Sequence, residues 1–283
     1  MSARKSSLEQ IETGSLIKGF DVPAGPQTMR IISWNINRGM QLDGIVEFLR
    51  REAADLILLQ EADLNARRTQ YRNIAREIAQ GLRMDYVFGR EFEELTQGNC
   101  NSRAYHGQAT LSRLPLLESR ILRFRRQSGF WRPRWFVPNI QLLQRRIGAR
   151  MALVTHVLWF EKRLIVYNVH LESRGDDALR CCQFAEILDD VQQYSPDVPI
   201  VIAGDFNFDL SQRPGASLLA RSRFDNPFSL GKVRPTTNGS RIRRGRMVDW
   251  ILLRGPLGYA DLRLHELQRS SDHYPLSLIL KSN

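Results

Sequence analysis

Short apolar segments, each followed by polar residues, limit the fold of this 283-residue chain more than any other feature. Segments of this length that are rich in Val, Ile and Leu are typical of buried strands. They occupy residues 29–35, 55–60, 85–89, 108–112, 151–156, 164–170, 199–203, 247–253 and 276–280. Helical patterns occupy residues 45–51, 70–81 and 177–193. Because helices separate only some of the strands, we expect mixed sheets covered by helices rather than a parallel barrel.

The chain divides into a polar N-terminal arm, residues 1–28, and one large domain, residues 29–283. The arm contains glycines and prolines without sustained periodicity, which predicts a flexible segment. Cys100, Cys181 and Cys182 suggest neither a disulfide framework nor a zinc site. The chain has no secretory signal and no apolar run of about 18 residues, so we expect a soluble, cytoplasmic protein without a transmembrane segment. We also expect a monomer.

Arginine dominates the charge of the chain, with 36 arginines, five lysines and a formal net charge of +11. The planar guanidinium group suits phosphate. Residues 120–150 contain nine arginines and residues 226–248 six basic residues, and neither stretch contains an acid. This distribution favours a basic patch that faces an anionic partner, although solvated surface arginines would produce the same composition.

Polar residues that could carry chemistry follow three of the predicted strands. Asp205 and Asn207 come directly after the segment 199–203, and an extended backbone would point both to the same side. Asn35 and Asn37 repeat this arrangement, and Glu61 follows the segment 55–60. A carboxylate and an amide can activate water and stabilise a phosphoryl oxygen, and Mg²⁺ prefers carboxylate oxygens. The alternative is that these residues are ordinary turn formers.

Histidines and further acids complete the candidate set. Asn168 and His170 share one face of a predicted strand, and Asp272 and His273 lie together in a loop near the C-terminus. Asp249 lies inside an apolar strand, where an acid is costly unless it is paired, for example with an imidazole. A structural histidine is the alternative for His170. No serine or cysteine nucleophile lies among these residues, which favours hydrolysis by water and a metal ion.

Seven motifs in order resemble the endonuclease/exonuclease/phosphatase superfamily. They are SWNIN at 33–37, LQE at 59–61, GQATLSR at 107–113, NVHLES at 168–173, GDFN at 204–207, VDWILL at 248–253 and SDHYP at 271–275. The resemblance implies an α/β fold, a four-layer sandwich of two central mixed β-sheets flanked by helices. It also implies that residues 29–283 form a metal-dependent phosphoesterase domain. Residues 170–183 are similar to the tyrosyl-DNA phosphodiesterase branch.

The resemblance implies Mg²⁺ as the cofactor, with Mn²⁺ as the alternative. It assigns metal binding to Asn37, Glu61 and Asp272, and an orienting role to Asn35 and Asn168. Asn37 stands where many abasic-site nucleases carry aspartate, and this difference argues against close kinship with that branch.

The resemblance also assigns the catalytic roles. Asp205 would orient or deprotonate the attacking water, and Asn207 would steady the phosphoryl oxygens. His170 would contact the phosphate or donate a proton, at a position where abasic-site nucleases carry tyrosine. Asp249 would orient His273 beside the scissile phosphate.

The leading hypothesis for the substrate is nucleic acid. The acid-free stretches would contact phosphates, and tryptophans could stack on bases. The residues proposed to do so are Trp131, Arg132, Arg134, Trp135, Arg243 and Arg244. A second hypothesis is an anionic phospholipid or a phosphorylated small molecule, with the aromatic stretch 130–139 at a bilayer interface. A third is a non-catalytic, anion-binding module.

Overall fold

The computed structural model describes residues 7–16, 28–130, 146–230, 234–238 and 245–282. Thirteen strands occur in these residues: β1 Ile11–Gly14, β2 Thr28–Arg38, β3 Leu56–Leu64, β4 Asp85–Glu94, β5 Tyr105–Ser112, β6 Leu116–Arg123, β7 Arg146–Gly148, β8 Met151–Trp159, β9 Lys162–His170, β10 Ile200–Asp205, β11 Asp249–Arg254, β12 Leu257–Leu264 and β13 Leu276–Ser282. The α-helices of the same residues are α1 Leu42–Glu52, α2 Ile74–Leu82, α3 Asp177–Val191 and α4 Gly215–Ala220.

The strands form two mixed sheets. The first has eight strands in the order β1-β4-β5-β3-β2-β13-β12, with β7 paired to β4, and the second has five in the order β11-β10-β9-β8-β6. Each sheet contains one parallel pair, β2 with β3 in the first and β9 with β10 in the second. The carboxyl ends of these two parallel pairs supply most of the polar residues described below.

Alternating side chains along the strands build a four-layer sandwich. In β2, Ile31 belongs to the core between the two sheets, whereas Ile32 packs with α1 and α2 on the outer face. The outer face of the second sheet packs against α3 through Phe184 and Ile187. This architecture confirms the predicted fold class, since two central mixed sheets are each covered by helices.

The strands that sequence patterning missed are short or lie at sheet edges. Strand β7 has three residues, β12 contains a bulge between Ala260 and Arg263, and β6 is only partly buried. Helix α2 begins four residues later than predicted because Asn73 caps it, accepting a hydrogen bond of 3.0 Å from the Arg76 N–H. No helix of the described residues is long and apolar enough to cross a bilayer.

The N-terminal residues 7–16 differ from the predicted flexible arm. Strand β1 pairs antiparallel with β4, and Glu12 accepts hydrogen bonds from Tyr86 at 2.8 Å and Asn73 at 2.6 Å. Arg123 of β6 donates to the Leu8 carbonyl and to Glu9, so this segment contacts both sheets. Residues 1–6 and 17–27 lie outside the described residues.

Candidate active site

Strand register in the second sheet places three of the candidate residues side by side. Asp205, the last residue of β10, pairs with His170 of β9 on one side and with Asp249 of β11 on the other. Hydrogen-bonded neighbours in a sheet have Cα atoms about 5 Å apart. Three residues separated by up to 79 positions in the chain therefore meet because of the register alone.

A matching irregularity in the first sheet presents Asn37 and Glu61. Strands β2 and β3 pair through Asn35 with Gln60 and then through Arg38 with Ala62, so the residues between these pairs form a bulge. Asn37 and Glu61 have left-handed φ values of 43° and 56°. Non-glycine residues in this region carry local strain, which clusters at functional sites. The bulge turns both side chains out of the regular sheet pattern.

Asp205 lies at the centre of the site and joins the two sheets. Its Oδ2 accepts a hydrogen bond of 3.1 Å from the Asn35 amide, and its Oδ1 accepts one of 2.8 Å from the Asn207 N–H. The Nε2 atoms of His170 and His273 lie 3.6 Å and 3.8 Å from the same Oδ2. One buried carboxylate is thus held by two donors between two imidazoles.

His273 forms a second carboxylate–imidazole pair with Asp249, whose Oδ2 lies 2.9 Å from Nδ1. Burial alone would lower the pKa of His273, but the charges of Asp249 and Asp205 raise it to about 10. The imidazole is therefore cationic at neutral pH. Trp34 fixes the loop by donating a 2.9 Å hydrogen bond to the His273 carbonyl.

His170 has a partner that the sequence did not reveal. Its Nδ1 lies 3.4 Å from Glu91 Oε2, and Arg150 donates a 2.9 Å hydrogen bond to the other oxygen of Glu91. Burial would raise the pKa of Glu91, but the charges of Arg150 and His170 lower it to about 2. The buried chain Arg150–Glu91–His170 holds the imidazole in one orientation.

One signal in the sequence could have indicated Glu91. An acid in a buried strand requires a partner, which is the argument that identified Asp249. The apolar pattern predicts a strand that ends at residue 89, whereas β4 continues to Glu94 and includes Glu91. Sequence patterning places Arg150 only within the basic stretch 120–150.

Glu61 is ionised and partly exposed at the mouth of the site. Burial would raise its pKa, but the charges of His106, His170, Arg38 and Arg150 hold it well below the usual range of a glutamate. Its Oε1 lies 3.9 Å from His170 Nε2, and its side chain is 21% exposed. An ionised carboxylate that solvent reaches can bind a cation.

The donor atoms of the site fit a divalent cation. Glu61 and Asn37 offer carboxylate and amide oxygens, which hard cations such as Mg²⁺ prefer. Asp205, Asp249 and His273 also bring one ligand atom each within 4.8 Å of one another. In this second cluster Asp249 and His273 already bind each other, so the solvent-accessible Glu61 is the better candidate cation ligand. Asn37, whose Oδ1 accepts a 2.5 Å hydrogen bond from Arg38, lies on the neighbouring strand.

Two further predicted residues, Asp272 and Asn168, lie beside and beneath this centre. Asp272 is exposed on the loop before β13 and accepts a 3.3 Å hydrogen bond from Ser271. Asn168 is buried, donating to the carbonyls of Leu59 and Ala109, so it joins β9 to the first sheet. The predicted substrate-binding residues lie outside the described residues: Trp131, Arg132, Arg134, Trp135, Arg243 and Arg244.

Comparisons with known proteins identify the family and the fold of the chain. The sequence profile of the Endonuclease/Exonuclease/phosphatase family matches residues 32–273. An endonuclease/exonuclease/phosphatase of Beutenbergia cavernae superposes with a TM-score of 0.66 at 16% identity, covering 90% of this chain and 72% of that one. Humanized D. rerio TDP2 superposes with a TM-score of 0.63 at 20% identity, covering 90% of this chain and 100% of that one.

The structure of an endonuclease/exonuclease/phosphatase of Bacteroides vulgatus has a TM-score of 0.64 at 14% identity, with 90% of this chain and 99% of that one covered. At these identities the structures demonstrate a shared fold. The family profile covers both the strands that carry Asn35 and Glu61 and the loop that carries His273. The chain therefore belongs to the endonuclease/exonuclease/phosphatase family of phosphoesterase hydrolases.

Proposed function

We propose that this protein hydrolyses phosphodiester bonds of nucleic acid with the help of Mg²⁺, or Mn²⁺ as the alternative. The observation that carries the proposal is the convergence of two carboxylate–imidazole pairs on Asp205, beside the ionised Glu61. Activated water and charge stabilisation at a phosphoryl group are what phosphoester hydrolysis requires. The arginine-rich stretches and the fold shared with TDP2 proteins support nucleic acid as the substrate.

Asp205 would orient the attacking water and accept its proton. The hydrogen bonds from Asn35 and Asn207 fix both of its oxygens, so no rearrangement of the carboxylate is needed during the reaction. As the new P–O bond forms, the P–O bond to the leaving group breaks on the opposite side of phosphorus. The leaving oxygen takes up a proton from bulk water, to which Asp205 returns the proton it accepted. The products are a phosphate monoester and an alcohol, or a phenol when the leaving group is tyrosine.

His273 and His170 would stabilise the charge that develops on phosphorus-bound oxygens. The cationic imidazole of His273 presents Nε2 beside Asp205, with Asp249 holding the opposite nitrogen. His170 presents its own Nε2 on the other side of Asp205. The two imidazole nitrogens flank Asp205 Oδ2, so a phosphoryl group beside the attacking water would meet both of them.

Glu61 and Asn37 would hold the cation. When bound there, Mg²⁺ would act as a Lewis acid that polarises a phosphoryl oxygen. The bulges in β2 and β3 keep these two ligands together, and Asn37 is fixed by its N–H, which donates a 3.1 Å hydrogen bond to Asn35 Oδ1. Asn35 thus forms hydrogen bonds with both Asn37 and Asp205.

The test is a panel of single-stranded, nicked and 5′-tyrosyl DNA, incubated with Mg²⁺ or Mn²⁺ and with EDTA. We expect cleavage of at least one substrate that EDTA abolishes, and a loss of about a hundredfold or more in Glu61→Gln and Asp205→Asn. Asp189→Asn, an exposed carboxylate on α3, is the matched control and should retain full activity. Cleavage that survives both site substitutions would refute the proposal.

An anionic lipid headgroup is the second candidate substrate, and one feature favours it. Phe130, where the aromatic stretch begins, is 57% exposed, and the Arg174 guanidinium lies 5.1 Å from its ring centre. At an anionic membrane surface this ring would enter the interface while the guanidinium meets lipid headgroups. Sedimentation with vesicles of anionic phospholipid tests this, and binding that Phe130→Ser abolishes would favour lipid over nucleic acid.

A further inference from the structure

Arg38 lies next to the proposed cation ligands in an unusual conformation. It follows Asn37, has a left-handed φ of 69°, and pairs across the sheet with Ala62, the residue after Glu61. Its Nη1 donates a 2.5 Å hydrogen bond to Asn37 Oδ1. The backbone therefore adopts a strained conformation that places a guanidinium beside Asn37 and close to Glu61.

Arg38 differs from the other arginines around Glu61 in having no carboxylate partner. Arg150 pairs with Glu91 at 2.9 Å, and Arg146 pairs with Glu94 at 2.7 Å. Among the residues that the structure describes, no carboxylate lies within 4.0 Å of the Arg38 guanidinium. A guanidinium has five N–H donors, and hydrogen bonding to Asn37 uses one side of the group. The rest of the group is directed to no protein acceptor in this part of the chain.

We propose that Arg38 is a phosphate-binding residue that couples the binding of phosphate to the binding of a divalent cation at Glu61. The proposal rests on the proposed function, because it assumes that Glu61 and Asn37 hold the cation. A half-buried guanidinium with free donors binds phosphate through two parallel hydrogen bonds. Its place beside Asn37 would let one phosphate contact both the guanidinium and the cation.

The sign of the coupling follows from the charges. Without phosphate, the Arg38 charge repels a divalent cation near Glu61, so it weakens cation binding. A bound phosphate places negative charge between the two cationic groups and removes this repulsion. Each ligand then tightens the binding of the other by the same factor, as linkage requires.

The test uses Mn²⁺ as the probe, with the free-ion EPR signal as the readout, in the presence and absence of inorganic phosphate. For the unmodified protein we expect phosphate to tighten Mn²⁺ binding about tenfold. For Arg38→Gln we expect Mn²⁺ to bind about threefold more tightly without phosphate, and phosphate to change its affinity by less than about twofold. Arg38→Lys should retain part of the coupling, since it keeps the charge and loses the planar fork.

Two further variants make the outcomes distinct. Arg163→Gln removes the same charge from an exposed side chain near the start of β9, at the end of the strand away from His170, and it should behave like the unmodified protein. If phosphate has no effect on the unmodified protein, or an equal effect on Arg38→Gln, the role of Arg38 is refuted while the proposed function stands. If Glu61→Gln binds Mn²⁺ as the unmodified protein does, both proposals fail. Thermal unfolding of each variant confirms that it is folded.

Discussion

The side-chain amide of Asn35, in the first sheet, donates a 3.1 Å hydrogen bond to Asp205, in the second sheet. Both residues are about 98% buried, so the contact lies in a region of low dielectric where it is stronger than in water. Asn35 Oδ1 also accepts the N–H of Asn37. This one residue therefore links the two halves of the site.

Replacement of Asn35 by Ala should reduce turnover far more than it reduces stability. The variant frees one oxygen of Asp205 and the N–H of Asn37, so we expect turnover to fall by about a hundredfold. The free energy of unfolding should fall by about 1–3 kcal/mol, measured by urea denaturation. Gln108→Ala is the control, because Gln108 is a buried residue that bonds Met151 and Leu153. Equal losses of turnover in the two variants would contradict this role of Asn35.

Thr236 should prove to be a positioning residue for the Asp249–His273 pair. Its buried hydroxyl accepts hydrogen bonds from the backbone N–H groups of Val248 at 3.0 Å and Asp249 at 3.1 Å. Its backbone carbonyl accepts a 2.7 Å hydrogen bond from the Tyr274 N–H. Thr236→Val preserves shape and removes the hydroxyl, so we expect kcat to fall about tenfold with KM nearly unchanged. Thr236→Ser should restore kcat, and a serine variant as slow as valine would refute the assignment.

Glu91→Gln should impair both folding and turnover, for different reasons. The substitution removes the carboxylate that pairs with the buried Arg150 at 2.9 Å and leaves Glu172, 3.9 Å away, as the nearest acid, which should cost about 3 kcal/mol of unfolding free energy. It also weakens the contact that orients His170, so turnover should fall as well. In the double variant Glu91→Gln with Arg150→Met, we expect only part of the stability to return, because the buried Glu172 loses the Arg150 charge 3.9 Å away, and we expect turnover to stay low. Recovery of both would show that Glu91 has only a structural role.

His265 should make the fold sensitive to mild acid. Burial lowers its pKa below 6.5, since the ring packs 5.0 Å from Phe48 and its Nε2 contacts the Ser277 hydroxyl at 2.8 Å. The unfolded chain then binds more protons than the folded one in this range. Above pH 6.5, the pKa of His265 in the unfolded chain, the neutral buried imidazole contributes its full stabilisation. This contribution is lost as the pH falls through 6.5 toward the lower pKa that His265 has in the folded protein.

An NMR titration of the His265 imidazole should therefore give a midpoint below 6.5. Urea denaturation between about pH 7 and pH 5 should show a shallower loss of stability in His265→Gln than in the unmodified protein. An equal pH dependence of the two proteins would refute this account.

The sequence by itself determined the fold class and most of the candidate site. Short apolar segments, only some of them separated by helical patterns, predicted mixed sheets covered by helices, and the family resemblance implied that the sheets are two. The acid at 249 in an apolar strand predicted a partner, and the structure places His273 there at 2.9 Å. Both inferences use local information, namely what one residue requires from its immediate surroundings.

Only the tertiary structure decided which distant charges pair. Arg150 and Glu91 are 59 residues apart, and their pairing depends on how β4 and the segment before β8 approach each other. The tertiary structure also decided that β1 pairs with β4. It likewise decided that Arg38 has no carboxylate partner among the described residues. Burial makes a charged group need a partner, but the register and packing of the sheets determine which group that partner is.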